Sequence, residues 1–433
     1  MNFYLIIILA ILIGDYLLEL VIDTLNVRHV KTDLPQEFEG AYDAEKYRKS
    51  QEYLKENTRF GLITDSVMTP LTIAFILFGG FNIVDQFARG FGLGHIPTGL
   101  VFAGLLMLAS QIINLPFSIY DTFVIEEKYG FNKTRPKTFV LDILKGWGLA
   151  VVIGAPLFSL VLWFFEKTGP WAWAYCWAAV TIFQLFFMFI APVVILPLFN
   201  KFTPLEEGAL KEAVEGYARA RNFKMKGVFT MDGSRRSTKS NAFFTGFGRF
   251  RRIVLFDTLI EKHKVEELVS ILAHEMGHYK KGHILKSLLI SILTMGLMFF
   301  ILSLFINNRE LFDAFKMKET SIYGSLLFFG FLYGPIEMIL SIFGNMLSRK
   351  HEFEADLYAV KTYGRPMFFI EALKKLSIDN LSNLTPHPLK VFLSYSHPPV
   401  LDRIRAIRKN AGMSSSKNPF FTTEHTEIAE NIM

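Results

Sequence analysis

A single cysteine, Cys176, stands among 433 residues. With no second thiol the chain forms no internal disulfide, and a zinc site built from cysteines is excluded. The redox compartment stays open. Charge is scarce too: Asp, Glu, Lys and Arg make up 20% of the chain, below the roughly 25% of average soluble proteins. There is no internal repeat and no low-complexity segment. The first apolar stretch, residues 2–23, lacks a basic flank and a small-x-small cleavage site, and it outruns a signal-peptide core. It reads as a retained transmembrane helix. What is present instead is apolar bulk, with 51% hydrophobic residues and 44 phenylalanines. That is the profile of a polytopic membrane protein with a sizeable polar portion. The net charge of +6 does not argue for nucleic acid. The basic residues cluster in loops beside apolar runs, where lipid headgroups and topology account for them. Membrane lipid is the expected partner and nucleic acid is not.

A bilayer core takes about 20 apolar residues per helix. Seven stretches qualify, near 3–22, 62–84, 98–120, 146–166, 171–198, 284–306 and 322–347. Pro192 and Pro197 predict a kinked or unwound end for the fifth. Lys and Arg gather after the first and third stretches (Arg28 to Arg59, Lys128 to Lys145), while few follow the second and fourth. By the positive-inside rule the N-terminus lies outside, and segments 199–283 and 348–433 share the cytoplasmic face. The loop carrying Arg309, Lys316 and Lys318 weakens that alternation. Asp15, Glu19, Asp65, Gln111 and Glu337 fall within apolar spans. They line a polar chamber or hydrogen-bond helix to helix.

The polar segment 199–283 predicts a small α+β insert. Residues 206–221 have helical periodicity, 227–231 and 252–256 read as strands, and 240–244 is a third strand candidate. A helix follows from about Lys264. The domain boundaries expected are 1–198, 199–283, 284–347, 348–410 and a mobile tail, 411–433.

His274-Glu275-Met276-Gly277-His278 falls on that helix. Positions i and i+4 share a helix face, so both histidines can turn a ring nitrogen to one metal ion. Glu275 sits beside that face, suited to a general base that takes a proton from water. The two histidines need a third ligand. A metzincin would carry His at position 284, where Ile284 stands, and His283 falls one position short. A better source is Glu352, in the polar run after the seventh stretch. Asp356, one turn on, suits an outer hydrogen bond to a ligand histidine, and Glu354 points elsewhere on that helix. Further on, His397 precedes two prolines that hold it extended, placed to donate to an oxyanion. Arg403 follows at a helix start, where it can orient His397 or bind a substrate carbonyl. Read without context, His397 and Arg403 remain open to being a loop histidine and a surface arginine.

Taken together, these motifs resemble the type I CAAX prenyl endopeptidases, integral-membrane zinc metalloproteases of the a-factor-converting type. The likeness extends to residues 122–132, 197–201, 240–242 and 252–258, and covers about 1–410. It implies seven helices around an intramembrane chamber, capped on the cytoplasmic side by a small α+β, gluzincin-like zinc portion. One zinc ion would be held by His274, His278 and Glu352, with Glu275 as base and His397 and Arg403 in the active site. Asn241 and Ala242 match an edge strand that holds substrate backbone. One departure is Lys239, where eukaryotic members carry His. The implied substrate is a C-terminal CAAX peptide bearing an isoprenoid. The membrane would be endoplasmic reticulum or inner nuclear in a eukaryote and the inner (plasma) membrane in a bacterium. Two other readings stay open: a quality-control protease with no need for the isoprenoid, and a zinc-binding transporter or scaffold without catalysis. Oligomeric state is not legible.

Overall fold

The computed structural model describes residues 2–245 and 251–413. Among these, seven helices are long and apolar enough to cross a bilayer: Phe3–Arg28, Ala44–Leu77, His95–Lys128, Pro136–Lys167, Gly169–Phe199, His283–Ser303 and Ile322–Tyr363. At most 17% of any one's most apolar window is buried within the protein, so their apolar faces meet lipid or the bundle interior. Asn2 caps the first helix through Leu5 N–H, and Ser321 caps the seventh through Gly324 N–H, each satisfying a donor the helix leaves unpaired.

The second span differs from its expected bounds. Its helix starts at Ala44 and ends at Leu77, because Gly79 takes φ +73° and starts a separate helix, Gly80–Arg89. Only glycine adopts that left-handed conformation freely. The early half, residues 44–61, is polar and stands clear of the apolar window. There Glu56 pairs with Lys128 at 2.6 Å and accepts from Tyr129 at 2.7 Å. The fifth span does not unwind. It widens into one π-helical turn, Ala191–Ile195, and resumes as Leu196–Phe199. A second π turn, Ala150–Gly154, interrupts the fourth. Pro197 and Pro156 crowd the carbonyls four residues back, at Val193 and Val152, inside these turns.

The polar portion carries a four-stranded sheet: β1 (Phe202–Pro204), β2 (Gly227–Met231), β3 (Ala242–Thr245) and β4 (Arg252–Phe256), in spatial order β1-β2-β4-β3. β2 and β4 are parallel, and the two outer strands run antiparallel to their neighbours. β3 is therefore an edge, pairing Ala242 with Leu255 and Phe244 with Ile253. Val228, Ile253 and Leu255 pack with Leu268, Leu272 and Met276 of the helix Val265–Lys280. A second core gathers Phe38, Tyr42 and Tyr47, from the loop and helix after the first span, with Ala273, Phe369, Leu401 and Ile404. The sixth and seventh spans form an antiparallel hairpin. It leaves the sheet side after His278 and returns there before Glu352. The tail expected to be mobile lies, from Ser414 on, outside the described residues.

Candidate active site

The helix Val265–Lys280 is buried along most of its length, including Ala273, His274, Met276 and Gly277. Gly277 sets how closely it approaches the seventh-span helix: a Cβ there would stand 2.9 Å from the Cα of Ala355. Only at that separation do side chains from the two helices meet. His274 Nε2 and His278 Nε2 lie 3.2 Å apart. Glu352 brings Oε2 within 3.4 Å of the first and Oε1 within 3.2 Å of the second.

These spacings fit a metal. A tetrahedral ion bonded at about 2.0–2.1 Å holds its ligand atoms about 3.3 Å apart, and the three separations straddle that value. Glu352 Oε2 is buried without a well-formed hydrogen bond; Arg403 Nη1 at 3.3 Å and His274 Nε2 at 3.4 Å are its polar neighbours, an arrangement that a bound cation would complete. His274, His278 and Glu352 form the one group of potential metal ligands found among the described residues.

Around them lies a second ring of contacts. Asp356 Oδ1 stands 2.8 Å from His274 Nδ1, as expected from its place one turn beyond Glu352. Arg403 donates both arms of its fork to Asp356, at 2.7 and 2.9 Å, and reaches Glu352 at 3.3 Å. Its guanidinium is thus committed to the two carboxylates. Burial alone would push His274 down, but hydrogen bonds to Asp356 and Glu352 reverse this and bring it up to about 9. Burial raises Glu275 above its ordinary range, against the pull of the two histidines. His397 is exposed, yet its Nε2 comes within 3.4 Å of Glu352 Oε1 while Ser396 Oγ meets its Nδ1 at 3.0 Å. The expected residues from three separate segments therefore converge, while Asn241 and Ala242 stand apart at the head of β3. Asn241 O accepts from Phe256 N–H, extending the sheet by one bond.

Glu275 and His278 open into a cavity of about 590 Å³ whose apolar wall includes Phe243, Phe244, Met188, Ile284 and Leu288. It joins the edge strand to the fifth and sixth spans. Sequence reasoning missed Phe243 and Phe244 as lining groups, although they continue the strand it singled out. His283, set aside as a ligand, and Glu354, turned away from the metal face, were not paired in the sequence, yet they are hydrogen-bonded to each other at 3.0 Å. Lys239, the departure noted above, reaches Tyr53 Oη and Glu126 Oε2, each at 2.9 Å.

Seven spans, an HExxH helix and a carboxylate delivered by a later helix define a membrane-embedded metallopeptidase. Residues 23–201 match the CAAX prenyl protease N-terminal family, described as five membrane helices, and residues 204–411 match peptidase family M48. The chain belongs to peptidase family M48. A CAAX prenyl protease 1 homolog of Arabidopsis thaliana is 37% identical over 92% of this chain and 96% of its own length. CAAX prenyl protease 1 of Saccharomyces cerevisiae is 34% identical over 87% and 89%. The crystal structure of S. mikatae Ste24p superposes with a TM-score of 0.89 at 33% identity, covering 93% of this chain and 99% of that one.

Proposed function

We propose that the chain is a zinc-dependent endopeptidase that cuts C-terminal CAAX-type peptides carrying an isoprenoid. The relatives' names support the substrate class. The observation that carries the reading is the cavity in which Glu275 and His278 meet apolar walls from both β3 and the spans. Such walls suit a substrate with a peptide at one end and a hydrocarbon chain at the other.

His274, His278 and Glu352 would hold the zinc. Bound there, it polarises a scissile carbonyl and brings the pKa of water to about 7. Glu275, adjacent to the ligands and uncommitted to them, takes the proton from the attacking water and returns it to the leaving amine. His397, exposed beside Glu352 with its Nδ1 held by Ser396, donates to the oxyanion. Arg403 and Asp356 position Glu352 and His274. Asn241 and Ala242 open an edge to which a peptide adds as a further strand, with Phe243 and Phe244 directing it to the cavity. The alternation of loop charge supports an active site facing the cytoplasm. The membrane is that of the endoplasmic reticulum or inner nucleus in a eukaryote, or the plasma membrane in a bacterium.

The test compares one CAAX peptide with and without its isoprenoid, using wild type and Glu275→Gln. Wild type cuts the prenylated form preferentially. Glu275→Gln keeps its zinc and loses about 10²–10⁴-fold in kcat. Equal cleavage of both peptides replaces the substrate assignment with general membrane-protein proteolysis. Full activity in Glu275→Gln removes the catalytic assignment.

A further inference from the structure

His278 is the metal ligand whose outer partner the mechanism above does not use. His274 has Asp356, but His278 Nδ1 faces a different group, His283 Nδ1 at 3.1 Å. His283 Nε2 in turn meets Glu354 Oε2 at 3.0 Å. The side chain of His283 is only 3% exposed. Its ring lies flat on His351, with centroids 3.9 Å apart and planes 9° from parallel. The backbone aims it there. Gly282 has φ +71°, which ends the motif helix and turns the chain so that the first residue of the sixth span folds back over His278.

We propose that His283 is a positioning residue that fixes the tautomer and orientation of His278, with Glu354 as its anchor. This rests on the reading that His274, His278 and Glu352 bind zinc. If Nε2 of His278 is to offer its lone pair to a metal, its proton must sit on Nδ1. His283 Nδ1 must then accept that proton's hydrogen bond, so the proton of His283 sits on Nε2 and is donated to Glu354. Each hydrogen bond has one donor and one acceptor, and the chain ends on a carboxylate that needs no further assignment. Stacking on His351 holds the plane in which this works. One helix thereby supplies the ligand Glu352 and, two and four residues further on, the carboxylates that terminate each histidine's outer contact: Glu354 for His278 through His283, Asp356 for His274 directly.

The experiment measures zinc affinity of the full-length chain in lipid nanodiscs, by competition with a chromophoric chelator. His283→Phe keeps the buried ring and its stack but offers no acceptor, and affinity falls about 10–100-fold. His283→Asn places an amide oxygen where Nδ1 stands and restores affinity to within about threefold. His283→Gln reaches the Nε2 position instead; it keeps the contact to Glu354 without the one to His278, and does not rescue. A structural role would not separate Asn from Gln. Glu354→Leu, at a partly exposed position that does not threaten the fold, lowers affinity about tenfold. Wild-type affinity in His283→Phe or Glu354→Leu overturns the proposal, as does equal rescue by Asn and Gln. A wild-type chain that takes up no zinc defeats the metal reading and this one together. A zinc-loaded wild type matched by His283→Phe defeats only this one.

Discussion

Replacing Gly277 with Ala isolates the helix crossing on which the site depends. The new Cβ would stand 2.9 Å from Ala355 Cα, 3.0 Å from its carbonyl oxygen and 3.2 Å from its Cβ. Ordinary carbon contacts begin near 3.5 Å, so the helices must part by about 0.6 Å. Two of the three obstructing atoms are backbone, and no rotamer relieves them. Ala355 lies one turn beyond Glu352, so the displacement passes directly to the third ligand. Metal sites tolerate about 0.2 Å in ligand distance. Zinc affinity should fall at least tenfold, and kcat/KM by about 10–100-fold. Stability should change less, because Ala gains about 1 kcal/mol in helix propensity over Gly while overpacking costs about 1–3 kcal/mol. The assay pairs chelator competition with peptide cleavage. Gly216→Ala serves as control: nothing lies within 4 Å of its Cβ position, and that variant should bind zinc as wild type does. If Gly277→Ala also keeps wild-type affinity and turnover, the crossing does not set the ligand geometry and the reasoning fails.

Three other outcomes follow from the geometry. In the metal-free protein His274 stands at about 9, above its ordinary 6.5. Its protonated form therefore adds stability below pH 6.5 that is lost as pH rises through 9, and a metal must displace that proton. Zinc affinity should rise up to about tenfold per pH unit between 6.5 and 9, with proton release visible by calorimetry in buffers of different ionisation enthalpy; a flat profile contradicts it. Arg403→Met leaves Asp356 and Glu352 facing each other without their shared cation, costing about 3–5 kcal/mol in the metal-free protein. Added zinc should recover part of that loss in a melting experiment, and no recovery would mean that the carboxylates are not part of a metal site. Lys239→Met removes the links to Tyr53 and Glu126 and a cation–π contact with Phe131 at 4.4 Å. These groups are partly exposed, so the loss is about 1 kcal/mol, read as a fall of about 1–2 °C in melting temperature, with zinc affinity unchanged.

The spans were legible because lipid demands about 20 apolar residues in a row, a signal that needs no knowledge of partners. The two histidines of the candidate metal site were legible because i and i+4 on a helix is a local relation. Glu352 and Asp356 repeat that relation on a second helix. What escaped depends on contacts between distant segments. The polar helix 44–61 carries no apolar stripe of its own length, since its Tyr53 and Glu56 are matched to residues 126–129. β1 has three residues, too few for an alternation. His283 and Glu354 are 71 positions apart, and nothing local to either announces the other. The clue was Gly282, whose positive φ brings the next residue back over the helix just ended.

The second core has a consequence for how the chain is made. Phe38, Tyr42 and Tyr47 are buried against Leu401 and Ile404, about 350 residues further along. At roughly 5–20 residues per second of synthesis, the early aromatics wait on the order of 20–70 s for the helix that covers them. During that interval Ala273, beside the first ligand histidine, has no completed wall behind it. Arg403, needed by Glu352 and Asp356, arrives in the same late helix. A ribosome-bound chain that already carries every span thus lacks the contacts that square the ligands to one another. The ligand geometry is therefore completed only once the helix carrying Arg403 has been made.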